Sequence, residues 1–203
     1  MWWDDLASTR GALVADLRQD QIDPAAVIEP GATVEGPVQI GAGARVCAGA
    51  IIRGPVKIGA GTLIGNGAVV RGPTSIGENC LVGLGTEIKS SVIGDEVALG
   101  PQSYVGDSLI ESGAYFGAQV RTSNHRLDKK NVTGLVDGMV VDTGFEKLGC
   151  HIGSGAAIGI HCVILPGRSV SGGAIVGPGI VIQKNLSAAR YRLCQNIITE
   201  ELS

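Results

Sequence analysis

A six-residue repeat of aliphatic residues dominates this chain of 203 residues. From residue 28 to residue 88 every sixth position is Ile or Val, and the residue that follows is often Gly. The position four residues after the aliphatic is usually small. A period of six matches neither the 3.6-residue turn of a helix nor simple strand alternation. The aliphatic positions are Ile28, Val34, Ile40, Val46, Ile52, Ile58, Ile64, Val70, Ile76, Val82 and Ile88.

The repeat predicts an all-β fold, a parallel β-helix. Each six-residue unit forms one short flat side and one turn, and three sides make a coil of about 18 residues. Coils stack at the strand spacing of roughly 4.8 Å, so the aliphatic residues of successive coils form ladders inside the coil. Such a core needs few aromatic residues, and this chain has 3%.

The repeat is interrupted in its second half. The frame slips by one residue before Ile93 and again before Ile110, and the repeat stops over about residues 122–147. It returns at Ile152. An Asp-Gly pair at 137–138 stands between short apolar runs, which predicts a β-hairpin. A long loop ejected from a solenoid is usually functional. We expect about five coils before the loop and two after it.

The repeat also divides the chain into segments. We expect an N-terminal helical segment at residues 1–24, the β-helix at 25–184 with its loop insertion, and a C-terminal helical cap at 185–203 that begins near Ser187. A solenoid has open ends that need caps, so capping is one function for both helices. Binding of a partner is the alternative.

Composition excludes several classes of function. The formal charge of −3 gives no electrostatic reason to bind nucleic acid or an anionic membrane. The five cysteines are an odd number without a CxxC motif, which is typical of core thiols in a reducing compartment. No apolar run reaches the roughly 18 residues that span a bilayer, and Asp4 and Asp5 oppose a secretion signal. We expect a soluble, cytoplasmic protein.

Three segments carry a resemblance to a known family. They are VRG at 70–72, EIK at 87–89 and YVGDSLIESGAYFGA at 104–118. They resemble the acetyltransferase domain of the bifunctional enzymes that make UDP-N-acetylglucosamine, and most of all the archaeal-type sugar-1-phosphate nucleotidylyltransferases. The WDDLAS start is similar to the linker helix of that family. The resemblance implies a left-handed coil, a homotrimer with active sites between neighbouring helices, acetyl-CoA as donor and an amino-sugar phosphate as acceptor.

The resemblance also assigns site residues. Arg71 and Lys89 match the family's basic pair that grips the sugar phosphate, and both groups form charge-assisted bonds to phosphate. Tyr104 matches the tyrosine beside the acceptor, and Asn124 matches the asparagine at the start of the loop. By residue type alone, an exposed Arg or Lys is most often only solvated. The positions assigned to acetyl-CoA are Ala118, Gly159 and Gly177.

The sequence departs from the family at its general base. The family's catalytic histidine lies three residues before the tyrosine, where this chain has Pro101, which accepts no proton. The loop contains Asn-His-Arg-Leu-Asp at 124–128, which resembles the segment that bears the catalytic histidine of the xenobiotic acetyltransferases. Histidine is suited to take a proton at neutral pH. We therefore predict His125 as the base, with an ordinary polar loop residue as the alternative.

The other two histidines do not predict a metal site. Together with His125, His151 and His161 are similar to the three zinc ligands of the γ-carbonic anhydrases. That site needs a histidine pair five residues apart, whereas ten residues separate these two. We predict no metal, because three nitrogens must converge within about 2.1 Å of a zinc ion.

Two functions remain open. The first is a CoA-dependent N- or O-acyltransferase acting on an amino-sugar phosphate or a nucleotide-linked sugar. The second is a non-catalytic trimeric scaffold that binds sugar phosphate, and that could join a separate nucleotidylyltransferase through the Trp2-Trp3 helix. The position of His125 distinguishes them, because only the enzyme needs it to face the cleft of Tyr104 and Lys89.

Overall fold

A computed structural model describes residues 1–195 as a left-handed parallel β-helix, the fold class predicted from the sequence. Each coil contributes one short strand to each of three parallel sheets. Eight coils contain all three strands. Six precede the ejected loop, one more than expected, because the N-terminal helix ends at Asp16 and the first strand begins at Gln21, inside the segment predicted as helical.

The strands have the following bounds. The first sheet contains Gln21–Ile22, Val38–Ile40, Val56–Ile58, Thr74–Ile76, Val92–Ile93, Leu109–Ile110, Cys150–Ile152 and Arg168–Val170. The second contains Val27–Ile28, Arg45–Val46, Leu63–Ile64, Leu81–Val82, Ala98–Leu99, Tyr115–Phe116, Ala157–Ile158, Ile175–Val176 and Arg190–Tyr191. The third contains Thr33–Glu35, Ile51–Arg53, Val69–Arg71, Glu87–Lys89, Tyr104–Gly106, Arg121–Thr122, Val163–Ile164 and Val181–Ile182.

The repeating aliphatic residues form the core. From residue 40 to residue 88 they are at most 1% exposed, whereas Ile28 is 37% exposed because the first coil has no coil above it. The small residues between them are also buried, and some are polar. Thr62 donates its hydroxyl to the carbonyl of Gly77 at 2.7 Å, so its burial leaves no unpaired group.

The predicted C-terminal helix is replaced by strand in the part that the structure describes. Leu186 pairs with Val170, and Arg190–Tyr191 pairs with Ile175–Val176 as the start of a ninth coil. The last complete coil offers unpaired backbone groups, and this partial coil satisfies some of them. Within residues 185–195 the prediction was therefore wrong, and its remainder lies outside the described residues.

The N-terminal helix, Trp2–Asp16, lies on the first sheet. Trp3 and Leu6 are almost fully buried against Val132 and Leu148 of the ejected loop. Helix and loop therefore share one small core outside the coil. Within residues 1–195, no helix has the length and apolar character needed to cross a membrane.

The loop contains the hairpin predicted from its Asp-Gly pair. Thr133–Val136 pairs antiparallel with Met139–Asp142. Asp137 and Gly138 have φ angles of 49° and 80°, the positive values that a type I′ turn requires. Gly134 lies under the Trp3 ring, where a methyl group would meet ring carbons at 2.4 Å, so the hairpin is held against the helix.

A histidine on the first sheet holds the start of the helix. The ring of Trp2 stacks on His151 with centroids 6.0 Å apart. His151 Nε2 lies 2.7 Å from Glu111 Oε1, and its Nδ1 lies 3.3 Å from the hydroxyl of Ser169. The hydrogen bond from His151 is the main cause that holds the pKa of Glu111 below its ordinary value of 4.5.

This pair predicts a pH dependence. Because the folded pKa of Glu111 is lowered, its contribution to stability is present above pH 4.5 and is lost as the pH falls through the folded pKa. Glu111→Gln should lower the melting temperature at pH 7, and the difference from the wild type should shrink as the pH is lowered below 4.5. Melting curves followed by Trp fluorescence measure it. Glu146→Gln, at an exposed loop position, is the control, and equal behaviour of the two variants would contradict the assignment.

Candidate active site

The irregular features of the chain lie at one corner, between the third and first sheets. Both frame slips shorten this corner by one residue, and they place Ser90 and Asp107 there with φ angles of 48° and 49°. Asp tolerates this left-handed conformation better than most residues. The ejected loop leaves from the same corner one coil later, after Thr122. Two short corners and the loop therefore follow one another along the axis.

Asp107 is the centre of a buried cluster at this corner. Its side chain is 8% exposed. Lys89 Nζ lies 2.9 Å from Oδ2, and Asn124 donates to the same oxygen from Nδ2 at 2.6 Å. Arg10 of the helix lies 3.3 Å from Oδ1 and also donates to the carbonyl of Ser90. One carboxylate thus joins the helix, the coil and the loop.

The charges of this cluster do not cancel. Arg10 and Lys89 bring two positive charges, and Asp107 brings one negative charge. Both cations are largely shielded from solvent, with side chains 18% and 17% exposed. Charges in such partly buried places act more strongly than on the open surface. The corner therefore attracts an anion.

Tyr104 lies beside this cluster because of a neighbouring glycine. Its ring folds over Gly106, where a methyl group would lie 2.6 Å from the Tyr104 hydroxyl oxygen. Gly106 is the register partner of Lys89 in the coil above. The hydroxyl therefore lies near the Lys89 position, so the structure brings Lys89, Tyr104 and Asn124 to one corner.

Arg71 occupies the same column one coil earlier. It is the register partner of Lys89, and its side chain is 43% exposed. It pairs with Glu87, with Nε 3.0 Å from Oε1. The two members of the predicted basic pair therefore stack in successive coils, but their surroundings differ. Arg71 has an exposed carboxylate partner, whereas Lys89 is held by the buried Asp107.

His125 lies apart from Tyr104 and Lys89, in a pocket of the ejected loop. It is exposed, and its backbone pairs with Lys147 at the base of the loop. It lines an open pocket of about 520 Å³ together with Leu165 and Pro166 of the next coil. Neither Tyr104 nor Lys89 lines this pocket. Within residues 1–195, no hydrogen bond engages the His125 ring.

The residues assigned to acetyl-CoA lie at the opposite edge of the third sheet. Gly159 and Gly177 follow register partners in successive coils, and Ala118 lies beside them in the coil before the loop. The Ala118 carbonyl accepts a hydrogen bond from the backbone of His161 at 3.0 Å. Pro101 lies at this same corner one coil earlier. Within one chain the strands of the third sheet therefore separate these three residues from His125.

The three histidines lie apart. His151 is on the first sheet, His161 is beside Ala118, and His125 is in the loop. No group of three or more metal-binding side chains occurs in the described part of the chain.

Sequence reasoning missed the residues that organise the site. Asp107 and Arg10 were not singled out, although the frame slip before Ile110 marks the corner where Asp107 lies. Arg10 is 97 residues from Asp107 in the chain, so no local pattern connects them. The frame slip before Ile110 is therefore the feature of the sequence that marks the position of Asp107.

Removal of the Asp107 charge tests the cluster. Asp107→Asn should destabilise the protein by about 3 kcal/mol, because it leaves two shielded cations without their carboxylate. It should also speed amide exchange at Leu148, whose N–H bonds to the carbonyl of Asn124. Urea unfolding and hydrogen exchange measure both effects. Asp16→Asn, at an exposed position, is the control, and equal stability of the two variants would contradict a structural role for Asp107.

Comparisons with known proteins agree with this fold. Residues 55–90 match the family described as bacterial transferase hexapeptide (six repeats). The chain is 44% identical over 113 residues to a protein of Escherichia coli named "Uncharacterized acetyltransferase YaiX", which covers 56% of this chain and 49% of YaiX. It is 36% identical over 105 residues to the "Bifunctional sugar-1-phosphate nucleotidylyltransferase/acetyltransferase" of Sulfurisphaera tokodaii, which covers 52% of this chain and 26% of that protein.

A solved structure supports the fold. LpxA, a UDP-N-acetylglucosamine acyltransferase from Bacteroides fragilis, superposes with a TM-score of 0.56 at 20% identity, over 82% of this chain and 68% of that one. This likeness concerns the fold alone. The chain spans about half the length of YaiX and a quarter of the archaeal protein. The chain has a hexapeptide repeat and a left-handed β-helix, and it is similar over about half of its length to the bifunctional nucleotidylyltransferase/acetyltransferase of Sulfurisphaera tokodaii.

Proposed function

We propose that this protein transfers an acyl group from acyl-CoA, most simply acetyl-CoA, to a phosphorylated or nucleotide-linked sugar. The observation that carries the proposal is the excess positive charge at the Asp107 corner, with the Tyr104 hydroxyl beside it and Arg71 one coil away. Two cations and a hydroxyl suit an acceptor that has both an anion and a sugar ring. The names of the relatives, which are acetyltransferases and a sugar-1-phosphate enzyme, support the reaction class.

The chemistry requires a base and a fixed acceptor. The acceptor's amine or hydroxyl attacks the thioester carbonyl carbon, its proton passes to the base, and the carbon–sulfur bond breaks as CoA leaves with a proton. Histidine is the residue type suited to this transfer at neutral pH. His125 is the candidate, because its ring is exposed and, among residues 1–195, unbonded. Lys89, Asn124 and Tyr104 would hold the acceptor in place.

The position of His125 makes a second subunit part of the proposal. In one chain His125 shares no pocket with Tyr104 or Lys89, so it would act on an acceptor bound at a neighbouring subunit's corner. The second sheet offers a contact face, since Leu81, Tyr115 and Ile175 are each more than 40% exposed in one outward column. Exposed apolar surface of this kind marks interfaces. We infer a homotrimer, in which each loop reaches the next subunit.

A specific observation favours a second function: within one chain His125 shares no pocket with Tyr104 or Lys89, which is the arrangement expected of the scaffold. If the subunits do not bring His125 to the acceptor, the Asp107 corner has no histidine to act as the base, because Pro101 occupies the position of the family's histidine. The corner would then bind sugar phosphate without chemistry, as a scaffold. Binding without transfer is the property that separates this function from the first.

CoA release with a thiol reagent tests the proposal. The substrates are acetyl-CoA and a panel of amino-sugar 1-phosphates and nucleotide sugars. The background is Cys194→Ser, because Cys194 is exposed and the other four cysteines are buried. His125→Ala should reduce the rate by about 100-fold or more, as expected for a general base. Lys130→Ala, exposed in the same loop, is the control and should keep the rate.

Two results would each contradict a different part of this proposal. If no acceptor releases CoA while sugar phosphate still binds, the scaffold is the function. If His125→Ala and Lys130→Ala transfer at the same rate, the acyltransferase stands but His125 is not its base. A trimer mass by light scattering tests the assembly separately.

A further inference from the structure

Three cations stack along the outside of the third sheet. Arg53, Arg71 and Lys89 are direct register partners in three successive coils. Each is the last residue of its strand, so the three side chains leave the sheet at the same edge. Neighbouring strands lie about 4.8 Å apart, which sets the spacing of this column.

Such a column is unfavourable by itself. Like charges directly opposite one another on neighbouring strands destabilise a sheet. The carboxylates that offset them at the first two positions are exposed, with Glu35 57% and Glu87 36% accessible. Exposed ion pairs contribute only about 0–1 kcal/mol. Arg53 bonds to Glu35 through Nε alone, whereas two nitrogens of Arg71 bond to Glu87, so another anion would have to displace Glu87 from Arg71.

Lys89 differs from the two arginines. Its side chain is 17% exposed and lies 2.9 Å from the buried Asp107, so it is fixed in place. Arg53 and Arg71 are 58% and 43% exposed. The accessible pair of the column is therefore Arg53 and Arg71, one coil earlier than the pair that the sequence suggested.

We propose that Arg53 and Arg71 bind the two phosphate groups of a diphosphate, so that the acceptor is a nucleotide-linked sugar. This inference rests on the proposed function and narrows its substrate. A guanidinium binds a phosphate through two parallel N–H bonds. Arg53 pairs with Glu35 of the preceding coil and Arg71 with Glu87 of the following coil, so both side chains would turn from these carboxylates onto one diphosphate. The sugar then lies along the column over Lys89, and reaches Tyr104 in the next coil.

Acyl-CoA also carries a diphosphate, but its assigned residues are distant from this pair. Ala118 lies four coils beyond Arg53, a separation of about 19 Å along the axis at the spacing of stacked strands. Gly159 and Gly177 lie further along. If Ala118 holds the acyl group and Gly159 and Gly177 hold the rest of the donor, acyl-CoA extends away from the column, which leaves Arg53 and Arg71 to the diphosphate of the acceptor.

The chain offers a matched control for Arg53. Arg45 is 59% exposed and pairs with Glu29 of the preceding coil, as Arg53 pairs with Glu35. Arg45 lies on the second sheet, where its register partners are Val27 and Leu63. Arg45 matches Arg53 in exposure and in having a glutamate partner, although Glu29 is 20% exposed and Glu35 is 57% exposed, and it lies outside the cationic column.

The experiment is calorimetric titration at low salt with pyrophosphate, inorganic phosphate, UDP and CoA as separate probes. Pyrophosphate should bind more tightly than phosphate. Arg53→Gln should weaken pyrophosphate and UDP by about 10-fold, equivalent to about 1.4 kcal/mol, and should leave CoA unchanged. Arg45→Gln should change none of them. Equal melting temperatures of the two variants show that the fold is intact.

Each of the other outcomes would contradict one specific part of the proposal. Equal affinities of Arg53→Gln and Arg45→Gln for pyrophosphate would overturn the diphosphate site. Weaker CoA with unchanged UDP would assign the pair to the donor and overturn the acceptor assignment. The acyltransferase function is tested separately. If pyrophosphate binding depends on Arg53 but no CoA is released, the diphosphate site is supported and the acyltransferase function is contradicted. If Arg53→Gln transfers the acyl group to nucleotide sugars at the wild-type rate, the diphosphate site is contradicted and the acyltransferase function is supported.

Discussion

Backbone pairing between neighbouring coils is the constraint on which the rest of this structure depends. Each strand pairs with the strand one coil before it and one coil after it, so residues about 18 apart in sequence become neighbours in space. Inside the coil this produces the aliphatic ladders. Outside the coil the same register turns a repeated residue type into a column, and this is how Arg53, Arg71 and Lys89 come to stand in line.

The site arises where that regularity fails. A uniform solenoid presents flat sides and identical corners, and it has no place for a cleft. One residue is missing from two successive corners, and the chain leaves the coil altogether at the third. Asp107 lies at one of the shortened corners, where Asn124 of the loop and Arg10 of the helix both bond to its carboxylate. Positions where a local rule is broken are where function is expected, and this corner breaks the rule three times.

The sequence could predict what the period controls. The inward face of nearly every strand follows from the six-residue spacing, and the hairpin turn follows from its Asp-Gly pair, since both depend on near neighbours. The helix expected at 185–203 does not form over 185–195. The tail pairs there with the unpaired edge of the last coil, although its apolar residues have helical spacing. The sequence does not predict the Asp107 cluster, because Arg10, Lys89 and Asn124 are 97, 18 and 17 residues from Asp107 along the chain. The pocket of His125 depends on how the loop folds, which no period describes.

The two kinds of cation at this edge suggest a division of labour in the proposed function. Exposed arginines attract an anion over distance, but solvent and salt screen that attraction. Lys89 is held by a shielded carboxylate that is itself fixed by the helix and the loop, so its position varies little. A group held in this way orients an acceptor better than it captures one. In the proposed function Asp107 therefore acts without touching a substrate. Its carboxylate offsets part of the positive charge of Lys89 and fixes the position of that side chain.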